Sequence, residues 1–179
     1  MQQSSRSSSA WISAITLIVL IVVTLLVVRS VRLAEVPSDS MLPTIKPGDI
    51  VVMRIDAYRK AMPRRGDIVI FHDKRNGEYL IKRVVGQPGE TVMVWSGRVW
   101  INGERLQEDY VRGRLILELP VGAKLRDDEV WVMGDNRDFS DDSRDYGPVK
   151  RAQLVGRAAA IIWPWGRRGQ LSRPSTAAK

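Results

Sequence analysis

Two hydroxyls and one amine are the groups in this sequence best placed for acyl-transfer chemistry. The hydroxyls lie in Val36-Pro37-Ser38-Asp39-Ser40-Met41-Leu42-Pro43-Thr44. Pro37 and Pro43 fix their own φ and push the residues before them toward extended geometry, which predicts a stiff, non-helical segment. Residues two apart in an extended chain share a face, so Ser38 and Ser40 are expected to point one way and Asp39 the other. One hydroxyl can then attack a carbonyl while the other donates to the developing oxyanion. An ordinary polar turn is the plainer description of the same residues.

The amine is Lys82, in Tyr79-Leu80-Ile81-Lys82-Arg83-Val84-Val85. Period-two alternation puts it on the face of Leu80 and Val84, where burial disfavours an ammonium. To act as a base near neutral pH, a lysine must fall some 2–3 units from about 10.4, at roughly 3–4 kcal/mol. A lysine at a sheet edge that reaches solvent fits the same pattern. His72 is the single histidine, so any Ser-His-Asp scheme has to use it; the absence of cysteine excludes disulfides, thiolate metal sites and a cysteine nucleophile.

The second dense polar stretch is Gly134-Asp135-Asn136-Arg137-Asp138-Phe139-Ser140-Asp141-Asp142-Ser143-Arg144. Its acidic spacing invites a calcium-loop reading, which fails: counted from Asp141, the glycine position holds Tyr146 and the closing glutamate position holds Ala152. It reads either as a solvated loop or as a hydrogen-bonded network that positions something else.

The elements that must position these groups follow from the hydropathy pattern. Residues 1–9 are rich in serine and glutamine and are expected to be a disordered tail. Residues 10–28 run without a charge, and at about 1.5 Å per residue span roughly 28 Å, one membrane crossing with Trp11 as an interfacial anchor. A cleavable signal peptide fits less well, because the apolar run is too long and no small-x-small site follows. Residues 29–35 are expected to be a short linker. Val28 and Ser40 are at most about 40 Å apart when extended, which tethers Ser40 near the bilayer.

From Ile45 the chain reads as β structure. Strands are predicted at 50–53, 67–71, 79–85, 91–95, 98–101, 115–119, 129–133 and 154–163, separated by turn pairs such as Asn76-Gly77 and Asn102-Gly103. Ser96-Gly97 reads as the turn of a hairpin. The spacing suggests a compact barrel or sandwich in one domain, with a polar, frayed tail after Trp165. With 28 basic against 20 acidic residues the net charge of +8 favours anionic surfaces, and charge alone does not choose between nucleic acid and phospholipid.

Four stretches together carry a resemblance. Residues 37–44, Arg65-Gly66-Asp67-Ile68-Val69-Ile70-Phe71, Ile81 to Glu90 and Gly134 to Arg144 resemble, in order and after an apolar span, the successive sequence boxes of bacterial type I signal peptidases. The likeness covers about residues 10–165. It implies a Ser-Lys dyad endopeptidase in which Ser40 attacks and neutral Lys82 takes its proton, later giving one to the leaving amine. It also implies an oxyanion site made by the Ser40 N–H and the Ser38 hydroxyl. Ser140 would orient the lysine; Asp142 and Arg144 would form a supporting pair, with Asp135, Asn136 and Arg137 in the same loop. The implied substrates are signal-peptide-bearing preproteins cut after a small residue, with a second small residue two positions earlier.

The resulting expectation is a mostly β protein, a compact β-barrel-like catalytic domain over residues 36–166 preceded by one N-terminal transmembrane helix and followed by a flexible tail, 167–179. The resemblance places the N-terminal tail in the cytoplasm and the catalytic domain on the extracytoplasmic side of the plasma membrane, against a slight excess of Arg29 and Arg32 over Arg6. Partners would be preproteins and the phospholipid bilayer, with no nucleic acid, no cofactor and no metal; oligomeric state stays open. Asp39 departs from the glycine of well-known members. Two other readings remain at this point: a self-processing Ser-Lys protease, which would carry a DNA-binding domain, and a membrane-tethered basic barrel that binds anionic lipid or a partner.

Overall fold

Ser5–Ser30 form one helix, α1, unbroken by proline or glycine. The computed structural model describes residues 5–113 and 119–174. The helix therefore begins inside the segment expected to be disordered, because the serines at 5 and 7–9 lead into the apolar run without a helix breaker. Within Trp11–Ser30 an 18-residue stretch has a mean hydropathy of 2.9, and none of its described residues is buried. Side chains such as Trp11, Ile12, Ile15 and Leu20 have no protein cover, and apolar surface left bare on this scale calls for an apolar surrounding. Thr16 and Thr24 return their hydroxyls to Ile12 O and Leu20 O, so neither presents an unpaired donor.

No linker follows. Strand β1, Val31–Glu35, starts at the residue after α1 and pairs antiparallel with β2, Ile50–Arg54, from Val31↔Arg54 to Glu35↔Ile50. The expected spacer at 29–35 is thus helix end and edge strand. Arg32, Leu33 and Glu35 are exposed there, as suits an edge, where one side is solvated.

The larger sheet continues through β3 (Ile68–His72), β4 (Tyr79–Gly86), β9 (Glu129–Met133), β10 (Val149–Lys150), β11 (Leu154–Trp163) and β12 (Gly169–Gln170). Its order is β1-β2-β11-β3-β4-β9-β10, with β12 also on β11. The path does not return to β1, so the barrel anticipated from sequence is open, while the mostly β class holds. A second sheet, ordered β7-β6-β5-β8, comprises β5 (Thr91–Trp95), β6 (Arg98–Ile101), β7 (Glu104–Arg105) and β8 (Val121–Lys124). Ser96 and Gly97 turn the β5–β6 hairpin with φ of 49° and 70°, the left-handed pair that a two-residue loop needs. The strand predicted at 115–119 falls outside the described residues apart from Leu119, which is exposed.

The segment after Trp165 is anchored. Arg167 pairs with buried Asp49 at 2.8 Å, β12 pairs with β11, Leu171 is buried, and Arg173 reaches Asp67 at 2.7 Å. Over 167–174 the expected flexible tail is therefore corrected: two buried carboxylates and one apolar site hold it. Leu171 joins Val36, Met41, Ile45, Val51, Ile68, Ile70, Ala158 and Ile161 in the core cluster beneath the serine-bearing turn.

Candidate active site

Ser40 lies in a tight 3-10 turn, Asp39–Met41, rather than the extended segment predicted. The prolines do hold their flanks extended, at Ser38 (φ −115°, ψ 156°) and Leu42 (φ −61°, ψ 141°). Between them the chain closes: Leu42 N–H donates to Asp39 O at 3.1 Å and Ile45 N–H to Met41 O at 2.9 Å. Burial of Met41 and Ile45 pulls the turn onto the core. The hydroxyls still meet, by curling instead of alternation, with Ser38 Oγ 3.2 Å from Ser40 Oγ. Asp39 is exposed.

Lys82 reaches this turn from the middle of β4, where it pairs with Val69 of β3. Its Nζ lies 2.7 Å from Ser40 Oγ, and the lysine is only 3% exposed. Burial pulls its pKa down to about 8, against the opposing pull of Asp142 and then Asp141. An amine so placed is neutral in a usable fraction near neutral pH, and when neutral it can accept the Ser40 proton.

Behind the pair stands a scaffold of buried ions. Asp142 Oδ2 accepts from the Ser140 hydroxyl (2.8 Å), the Gly134 N–H (3.0 Å) and Arg144 Nη2 (2.9 Å), while Oδ1 accepts from Arg144 Nε (2.9 Å). Asp142 also caps a one-turn helix, α2 (Ser143–Tyr146), in a capping box closed by Asp145. Arg144 Nη2 donates further to the carbonyls of Arg137 and Ser140. The Ser140 hydroxyl, anticipated on the lysine, donates here to Asp142, whose charge acts on Lys82 more strongly than any other.

A second ion pair locks the other flank. Arg83 Nε and Nη2 donate to the two oxygens of Asp135 at 2.8 and 2.6 Å, Thr44 Oγ1 donates to the same carboxylate, and Arg83 Nη1 caps Gly66 O. Asn136 N–H donates to Ser40 O at 3.0 Å and its side-chain amide to Asp39 O at 3.1 Å. Arg137 pairs with Glu108, Nη1 lying 3.0 Å from Oε2. Charged groups this deep are tolerated because each is paired and hydrogen-bonded.

A model of the family described as signal peptidase, peptidase S26, matches residues 8–163. The chain belongs to the signal peptidase family. It is similar to a signal peptidase I of Leptolyngbya laminosa, 42% identical over 147 residues that cover 78% of this chain and 72% of that one. A probable signal peptidase I-1 of Synechocystis sp. is 39% identical over 144 residues, 76% of this chain and 73% of the relative. A crystal structure of a signal peptidase I from Enterococcus faecalis V583 matches 54% of this chain and 96% of its own, at 35% identity and a TM-score of 0.47. Signal peptidases of this family remove signal peptides from preproteins, and this chain shares that activity class.

In this signal peptidase the structure brings Ser38, Ser40 and Lys82 together, with Ser140, Asp142 and Arg144 behind them and Asp135, Asn136 and Arg137 on the flank. His72 lies apart, edge-on to the Tyr79 ring at 5.5 Å. Sequence reasoning missed three participants. Arg83 is the partner of Asp135, and Thr44 bridges to it; both sat in quoted boxes without a role. Gly134 is the third: a Cβ there would fall 2.3 Å from Ser140 Oγ and 2.5 Å from Ser40 O, so only glycine lets the two loops touch. A cavity of about 490 Å³ between Tyr58, Arg59 and Arg151 shares no residue with Ser40 or Lys82. A cleft of about 320 Å³ lined by Asp39, Leu42, Asn136 and Phe139 adjoins the serine-bearing turn.

Proposed function

We propose that this signal peptidase is anchored in a membrane by α1 and cuts preproteins with Ser40 as nucleophile and Lys82 as general base. The observation that carries the reading is the 2.7 Å contact between a buried, pKa-depressed amine and the Ser40 hydroxyl. Neutral Lys82 removes the Ser40 proton as Oγ adds to the scissile carbonyl. The Ser40 N–H and the Ser38 hydroxyl hold the oxyanion. Collapse of the tetrahedral adduct breaks the C–N bond, and the Lys82 ammonium gives its proton to the departing amine. Water, deprotonated by the same amine, then hydrolyses the acyl-enzyme. Asp142 with Ser140 and Arg144, and Asp135 with Arg83, keep the two loops in register.

The anchor is the bare apolar helix, 20 residues long in its membrane-competent part. We place residues 1–9 in the cytoplasm and the catalytic body, 36–166, on the extracytoplasmic face of the plasma membrane, where preproteins emerge. The supporting test is incubation of the purified full chain with a preprotein carrying small residues at the two recognition positions. Wild type is expected to cut once, after the second small residue, and Ser40→Ala and Lys82→Ala to lose at least roughly 10³-fold in rate with unchanged circular dichroism. Appreciable turnover by either variant removes the dyad.

A further inference from the structure

The sheet edge beside the end of α1 carries charge that the site above does not use. Arg54, the last residue of β2, pairs on one side with Val31, the residue after α1, and on the other with Arg157 of β11. With strands about 4.8 Å apart, Arg157 lies roughly 10 Å from the end of the helix, within reach of a headgroup layer around it. A cleft of about 240 Å³ opens here, with Arg54, Tyr58, Arg64, Asp67, Arg157 and Arg173 in its lining.

Asp67 is the only carboxylate in that lining, and its oxygens are already taken. Arg173 Nε lies 2.7 Å and Arg157 Nε 3.1 Å from Oδ1, and the Arg64 N–H donates to Oδ2 at 2.9 Å. Among the described residues neither Arg54 nor Arg64 has a carboxylate within ion-pair distance. Four guanidiniums thus face one saturated carboxylate. Two donors buried in the cleft wall, the Tyr58 hydroxyl on a residue 9% exposed and Arg157 Nε, both turn toward this same crowded Asp67 without a hydrogen bond of good geometry. Buried donors that must share one crowded carboxylate are poorly satisfied, and excess guanidinium beside them suits a small, multiply accepting anion.

We propose that this cleft binds a phosphate group and that, given the anchoring reading above, the phosphate belongs to the headgroup of an acidic phospholipid. Arg54 and Arg64 would grip it from the open side, and Tyr58 and Arg157 from within. Bound there, the lipid fixes how the catalytic body tilts on the membrane, a role separate from the chemistry at Ser40.

The test uses the full chain in detergent, titrated with phosphatidylglycerol, phosphatidylcholine or inorganic phosphate and followed by native mass spectrometry. Wild type is expected to retain one phosphatidylglycerol in clear preference to phosphatidylcholine. Arg54→Gln and Arg64→Gln should each weaken that retention roughly fivefold. Tyr58→Phe should weaken it too while leaving Tm unchanged or raised, which a merely structural hydroxyl would not do. Equal retention of the two lipids, or a preference untouched by the arginine exchanges, overturns the proposal. Inorganic phosphate that binds as tightly and displaces the lipid keeps the anion site and overturns the lipid as its source. No bilayer is needed, so the result is independent of whether α1 spans one; alkaline extraction of the full chain from membranes tests that separately.

Discussion

The N–H of Asn136 donates to the carbonyl of Ser40 at 3.0 Å, so the loop after β9 is bonded to the peptide of the proposed nucleophile. The Asn136 side chain adds a second bond, to Asp39 O. The turn that bears Ser40 is therefore held from a point nearly a hundred residues downstream, and the stability of that loop bears on the reactive geometry.

Asp135→Asn should be among the most damaging single exchanges. It leaves the Arg83 guanidinium, 2% exposed, without its carboxylate, and stranding a buried charge costs about 3–5 kcal/mol. The denaturation midpoint checks this, and Arg83→Met with Asp135→Leu should recover much of the loss. A shift under about 1 kcal/mol in the single variant would contradict the deep placement of the pair.

Activity should depend on pH through one amine. With the Lys82 pKa near 8, kcat/KM is expected to rise about tenfold per pH unit in the acidic range and to level off above about 8. Initial rates on a peptide substrate between about pH 6 and 9.5 give the curve. A profile flat across that window rules out Lys82 as the base.

The same depression carries a stability consequence of opposite value to its proposed catalytic use. The amine titrates near 8 in the fold and near 10.5 unfolded, so the unfolded chain binds the extra proton between those values and stability rises with pH across that window. Below it the folded state bears a cost of roughly 3 kcal/mol. Lys82→Met should therefore raise Tm at pH 7 and lose that advantage near pH 10.5. Equal Tm differences at both pH values would show that burial does not depress the amine.

Ser140→Ala should act on rate more than on binding. Its hydroxyl anchors Asp142 Oδ2, and misplacement of the Asp142 loop behind Lys82 should lower kcat roughly 10–100-fold with KM nearly constant. Ser140→Thr, which keeps the donor, should restore part of kcat. A change confined to KM would assign Ser140 to the substrate groove instead.

Several features were legible in the sequence because they depend on local chemistry. The β5–β6 hairpin follows from Ser96-Gly97, α1 from an uncharged run without proline or glycine, and the strand around Lys82 from its β-branched and aromatic run, although burial there does not alternate: residues 82–86 are all buried. Others depend on partners remote in the chain. β1 and β12 are short and carry no strong strand signal of their own, and they become strands because β2 and β11 offer them pairing partners. The turn at Asp39–Met41 is set by burial of Met41 and Ile45, which proline geometry alone does not reveal. Arg83 stands next to Lys82 in sequence, yet its role appears only once Asp135, 52 residues away, is in place.

The junction at Ser30 and Val31, where helix passes directly into strand, leaves no spacer between the two elements. A body joined to the apolar helix through a hydrogen-bonded edge strand, with no intervening loop, keeps a short stand-off from the helix end. On the anchoring reading, that stand-off would select which peptide bond of an emerging chain is offered for cutting, before any side chain is inspected.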